Sequence, residues 1–129
     1  MPRQVTNPPE LHPAPGFSHI AEAGGTRLVY FAGQVALDRE FGILGGDDLY
    51  EQTKAAMRNL EVAIRAAGVD WGDIVRRTVY TLRPTEFETI SRAISEVTGE
   101  TEEPAQTIVG VTGLALPGLL IEIECTASV

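Results

Sequence analysis

The chain has 129 residues, 43% of them hydrophobic and 22% charged, with a formal net charge of −8 at pH 7. That length and composition describe one globular domain, residues 1–129, large enough to hold a core without a disulfide or metal staple. A single cysteine, Cys125, excludes an internal disulfide and a cysteine-rich zinc site, and the acidic balance opposes binding to nucleic acid or to an anionic membrane.

In chain order, residues 1–16 hold five of the eight prolines and read as an extended N-terminal arm, tied down or frayed, with His12 solvated. Phe17 to Ala23 and Arg27 to Ala32 read as two strands joined into a hairpin by Gly24-Gly25. The second, apolar on both faces, is expected to be covered on both sides. Residues 38–48 are loop, punctuated by Gly42, Gly45 and Gly46. Asp47-Asp48 caps a helix whose Leu49, Thr53, Ala56, Met57, Leu60, Ala63, Ile64 and Ala67 form one continuous face, and Gly68 ends it. After a Trp71-Gly72-Asp73 turn, Ile74 to Leu82 has strand composition. Pro84 and Thr85-x-x-Glu88 predict the start of a second helix with Phe87, Ile90, Ile94 and Val97 as its apolar stripe and Gly99 as its stop. An acidic loop, 100–103, leads to a strand from Thr107 to Val111. Leu119 to Val129 is a last strand of strict period two, with Ile121, Ile123, Cys125 and Ala127 on one face and Glu122, Glu124, Thr126 and Ser128 on the other.

The expected order is β-β-α-β-α-β-β, an α+β layer in which two helices cover one face of a mixed sheet. The other face is left for solvent or for another copy of the chain, which predicts a homo-oligomer with its sheets inward. No apolar run approaches 18 residues and the start lacks the apolar core of a signal peptide, so a soluble cytoplasmic protein is expected.

Strong chemical motifs are absent: no phosphate-binding glycine loop, no Gly-x-Ser-x-Gly, no His-Glu-x-x-His. Two histidines, His12 and His19, leave little for a metal site, and no metal or cofactor is expected. Glu122 and Glu124, about 7 Å apart on one strand face, are the best local signal. Buried in an interface, one of them could serve as a general base; the alternative is a solvated or salt-bridged pair on an edge strand. Cys125 reads as a small core hydrophobe, His19 as a surface or cleft-lining residue, and Trp71 as a packing anchor. Arg76 and Arg77 point to opposite faces, so at most one enters a given cleft.

A set of short motifs carries a family resemblance from about Phe17 to Ala127. They are Ala32-Gly33-Gln34, Leu37-Asp38, Gly42, Glu51-Gln52-Thr53, Asn59-Leu60, Ala66-Ala67-Gly68, Pro104-Ala105, Leu116-Pro117 and Ile121-Glu122-Ile123-Glu124. In this order the chain resembles the RidA/YjgF family of imine and enamine deaminases. The resemblance implies a chorismate-mutase-like α+β fold and a homotrimer with sheets packed inward. It also implies three inter-subunit clefts, each taking a small-molecule ligand. Glu122 matches the family's water-activating glutamate, and Gly33 the glycine that lets a ligand approach the backbone.

The departures fall on the ligand side. Gln106 stands where the family has a carboxylate-gripping arginine, Phe17 where tyrosine is usual, Ala32 for serine, Ser91 for asparagine and Ile108 for a frequent cysteine. A hydrogen bond to a charged group contributes roughly 1.5–3 kcal/mol, so exchanging the arginine for Gln106 forfeits roughly ten- to a hundredfold in affinity for a carboxylate. The implied function is therefore a hydrolase or deaminase of an arginine-lacking branch, using Glu122 on a substrate other than simple 2-imino acids. The alternatives are a non-catalytic metabolite-binding trimer, or a structural or interaction role through exposed surface. The ribonuclease label sometimes attached to the family fits poorly with a charge of −8 and no His or Lys pair for phosphodiester cleavage.

Overall fold

Helix α1 (Leu49–Ala66) begins where Asp48 Oδ1 accepts the Glu51 backbone N–H at 3.0 Å, as the sequence predicts, and gives way to Gly68 at φ +71, a conformation glycine adopts without strain. The computed structural model describes residues 3–99 and 102–129. Of the expected acidic loop, Glu100 and Thr101 lie outside the described residues. Around α1 lie β1 (Gln4–Thr6), β2 (Ile20–Glu22), β3 (Leu28–Val35), a 3-10 turn at Trp71–Asp73, β4 (Ile74–Thr81), α2 (Phe87–Thr98), β5 (Ala105–Gly110) and β6 (Ile121–Ser128). The main sheet runs β3-β6-β4-β5, antiparallel except for the parallel β4–β5 pair. The α+β class and two helices on a mixed sheet agree with the sequence. No described helix is long and apolar enough to cross a membrane.

The two faces of the sheet differ. Ile121, Ile123, Cys125 and Ala127 of β6, with Phe31 and Val79, pack under Met57, Leu60 and Ile64 of α1 and Ile90 and Ile94 of α2 in one core. Trp71 joins that core as expected, its Nε1 donating to Glu61 Oε2 at 3.1 Å. Two polar helix residues staple the loops. Buried Gln52 donates Nε2 to the carbonyls of Gly46 (2.6 Å) and Gly118 (2.8 Å) and accepts the Leu120 N–H at 2.9 Å. Asn59 Nδ2 donates to the carbonyls of Val35 and Leu37. No helix among the described residues covers the opposite face. There Leu28, Tyr30 (74% exposed) and Val109 stand open beside Glu122 and Glu124. β3 is thus covered on one side only within the chain.

Two expectations are corrected, and the choice between a tied-down and a frayed arm is decided. The Gly24-Gly25 hairpin does not form. β2 pairs with β1 from the arm, and β3 pairs with β6, because Thr26 and Arg27 bond the Val129 carbonyl and Gly25 packs against the backbone of Val129. The arm is tied down, by that β1–β2 pair and by buried Arg3, which donates to the carbonyls of Trp71 and Glu102. Helix α2 starts later than Thr85: Glu86 is its N-cap without a side-chain bond, so no capping box forms at Thr85, and Phe87 is 42% exposed rather than core.

Candidate functional site

A cavity of about 430 Å³ opens on the helix side of the β5 edge. It is lined by His12, Pro13, Pro15 and Phe17 from the arm, Pro84 and Phe87 before and at the start of α2, Ser91 within it, and Gln106 and Ile108 on β5. The fold brings these together for local reasons. Ser18 lies along β5, bridging Ala105 and donating its N–H to the Pro104 carbonyl at 2.9 Å, which sets Phe17 over the strand edge. Gly16, at φ +76, lets the arm close on α2, since a Cβ there would stand 2.5 Å from Ser91 Oγ. Gln106 and Ile108 share a face because they are two residues apart on a strand. The arm wall is an aromatic trio: His12 packs against Phe17 (centroids 6.3 Å apart) and edge-on to His19 (4.7 Å), and Phe17 meets His19 at 5.3 Å. His12 is exposed, as expected, yet it also lines the cavity, while His19 braces the trio from outside the lining.

Among the described residues, the lining holds no Lys, Arg, Asp or Glu. A charge lies just beneath it. Arg77, facing the helices as expected of one of the two arginines, is buried against Glu103 at 2.9 Å and donates Nε to Gln106 Oε1 and Nη2 to the Gly16 carbonyl at 3.2 Å. Burial pulls the guanidinium below its ordinary value, and the Glu103 carboxylate opposes that fall. Sequence reasoning restricted the arginines to opposite faces but carried no sign that Arg77 would hold Gln106. Only the parallel β4–β5 register, Arg77 beside Gln106, shows it.

Glu122 lies elsewhere. It is on the open face of β6, whereas Gln106 pairs with Arg77 on the helix face, so within one chain the sheet itself separates them. Glu122 does meet Gly33. The β3–β6 ladder carries a bulge between Phe31 and Gln34, leaving Ala32 and Gly33 against Glu124 alone, and a Cβ at Gly33 would overlap the Glu122 carboxylate. The two glutamates, on a central rather than an edge strand, are not equivalent. Tyr80 donates its hydroxyl to Glu124, a bond that with partial burial raises the phenol above its ordinary value. The half-buried Glu122 carboxylate has no hydrogen-bond or ion-pair partner among the described residues. Cys125 is core, and burial pushes its thiol up to about 12. No cluster of potential metal ligands occurs among the described residues.

Residues 8–129 match the family described as Endoribonuclease L-PSP. A crystal structure of a conserved Rid-family protein of unknown function from Yersinia pestis superposes with a TM-score of 0.92 at 38% identity, covering 100% of both chains. A RutC family protein from Pyrococcus abyssi is 34% identical over 100 residues, 78% of this chain and 77% of its own. The 2-iminobutanoate/2-iminopropanoate deaminase of Mus musculus is 34% identical over 102 residues, 78% of this chain and 73% of its own.

Proposed function

The chain belongs to the RidA/YjgF family, and from that premise we propose that it is a cytoplasmic small-molecule hydrolase acting on C=N bonds in clefts between the subunits of a homotrimer. Phe17, Ser91, Gln106 and Ile108 hold the ligand from one copy, and Glu122 reaches it from the next, flanked by Ala32 and Gly33. The observation that carries this reading is the split between the two clusters. Each is built within one chain, they lie on opposite faces of the sheet, and the Glu122 face keeps Leu28, Tyr30 and Val109 uncovered. A second copy seated on that face removes the apolar side chains from water and carries Glu122 toward a neighbour's cavity.

The chemistry then needs one carboxylate and water. Glu122 takes a proton from water as its oxygen adds to the imine carbon, and returns that proton to the nitrogen. The carbinolamine collapses to a carbonyl and ammonia. With no lining cation to meet a carboxylate, the substrate is not a simple 2-imino acid, in contrast to what the name of the mouse relative states for that protein. The family's ribonuclease description is not carried over, because a net charge of −8 opposes a phosphate backbone. The second reading, a non-catalytic metabolite-binding trimer, is favoured by the absence of any described residue orienting the Glu122 carboxylate.

Ammonia release separates the two. The substrates are 2-iminobutanoate, generated by an amino acid oxidase with semicarbazide competing, and a panel of uncharged imines and enamines. We expect no rate above buffer on 2-iminobutanoate and a measurable rate on uncharged imines. In Glu122→Gln that rate falls about a hundredfold or more, with the assembly intact by light scattering. Ligand binding without ammonia release from any substrate supports the binding-protein reading instead.

A further inference from the structure

A buried arginine directly under an apolar cavity needs a reason. Arg77 is 2% exposed, and its guanidinium is divided among three partners on two segments: the Gly16 carbonyl in the arm, and Glu103 and Gln106 Oε1 before and on β5. These same segments supply two cavity walls. Glu103 is itself buried and also accepts from Ser95 Oγ at 3.4 Å, so the cation is neutralised where it stands. A guanidinium has donors and no acceptor, so the Gln106 carboxamide can meet it only through its oxygen. The amide orientation is thereby decided, and Nε2 is left as the polar atom that Gln106 offers to the cavity. Neither Gln106 Nε2 nor Ser91 Oγ has a partner among the described residues.

We infer that Arg77 is the positioning residue of this cavity: it holds Gln106 as a hydrogen-bond donor and so selects a ligand bearing an uncharged oxygen acceptor, a carbonyl or amide oxygen, on a small apolar body. The inference rests on the cavity being the ligand site, as proposed above. Phe17, Phe87, Pro84 and Ile108 meet the apolar body. A carboxylate loses its water without gaining a free cation, because Arg77 is already matched by Glu103. An ammonium group meets the Gln106 N–H, donor against donor.

Two probes of similar size test this, benzamide with the acceptor and ethylbenzene without it, titrated into the assembled protein by NMR. The chain has four glutamines, Gln4, Gln34, Gln52 and Gln106, so the Gln106 carboxamide protons can be followed by selective labelling. In the free wild type they are expected well away from the positions of a solvated glutamine. In Arg77→Lys, which keeps a cation for Glu103 but loses the planar fork, they move back toward those positions. Benzamide then binds about tenfold more weakly and ethylbenzene binds as before. Should Arg77→Lys fail to fold, Gln106→Glu retains the acceptor for Arg77 and removes the donor, with the same selective loss of benzamide. Equal weakening of both probes makes Arg77 merely structural and overturns the proposal, as do wild-type Gln106 signals at solvated positions. If neither probe binds the wild type, the cavity reading is what fails, and the carboxamide signals alone decide whether Arg77 positions Gln106.

Discussion

The two faces of the sheet are built to different standards. On the helix face the chain is self-sufficient: Ile121 and Ile123 are fully buried, and the polar groups that enter it, Arg77, Glu103 and Gln52, all have partners. On the other face Tyr30 and Leu28 are open, and Glu122 waits without a partner among the described residues. Stability is therefore a property of one face, and the proposed reaction a property of both. A single chain finishes its core but, on the proposed reading, only half of its site.

The sharpest way to break this contrast is to mutate the same sheet on either side. Ile123→Ala, on the helix face, leaves a cavity under α1 and is expected to cost about 2–5 kcal/mol in denaturant unfolding. Tyr30→Asp, on the open face, should leave the secondary structure and core intact by circular dichroism and lower the assembled mass by light scattering. If both variants lose the fold equally, the open face is not an interface. Gln106→Arg comes next in size. It supplies a cation for a carboxylate, should tighten carboxylate binding roughly ten- to a hundredfold, and should bring 2-iminobutanoate hydrolysis above the buffer rate. No gain places the divergence of the cavity beyond that position. The smallest effect is pH-dependent. Burial pushes the folded Cys125 thiol up to about 12, well above its ordinary range. Above about pH 9 the unfolded chain therefore holds fewer protons than the folded one, so stability falls as pH rises from there. In Cys125→Ala the decline between pH 9 and pH 11 should be shallower, and an unchanged slope assigns it to other groups.

The elements of the main layer were legible because each has a period. The α1 stripe from Leu49 to Ile64, the alternation of β6 and the Gly68 and Gly99 stops all read directly from residue spacing. The arm was not legible in the same way. Its strand Gln4–Thr6 is three residues long, and the pairing that displaces the Gly24-Gly25 hairpin depends on where the C-terminus lies, which no local pattern encodes. The motif residues divide likewise. Gln52 and Asn59 are loop staples, whereas Gln106, Ser91, Ile108 and Phe17, distant in sequence, converge on one cavity. Arg77 was missed because its meaning comes from the β4–β5 register and not from its neighbours in the chain.

The central claim is that the site is completed by a second copy. A crystal structure of the assembled protein tests it most directly, through the position of Glu122 of one copy relative to the Gln106 cavity of the next. The account predicts that the open faces pack inward and that Glu122 and Gln106 line one shared cleft. An assembly that leaves the open face in solvent, or one that seals Glu122 away from every Gln106, would contradict it.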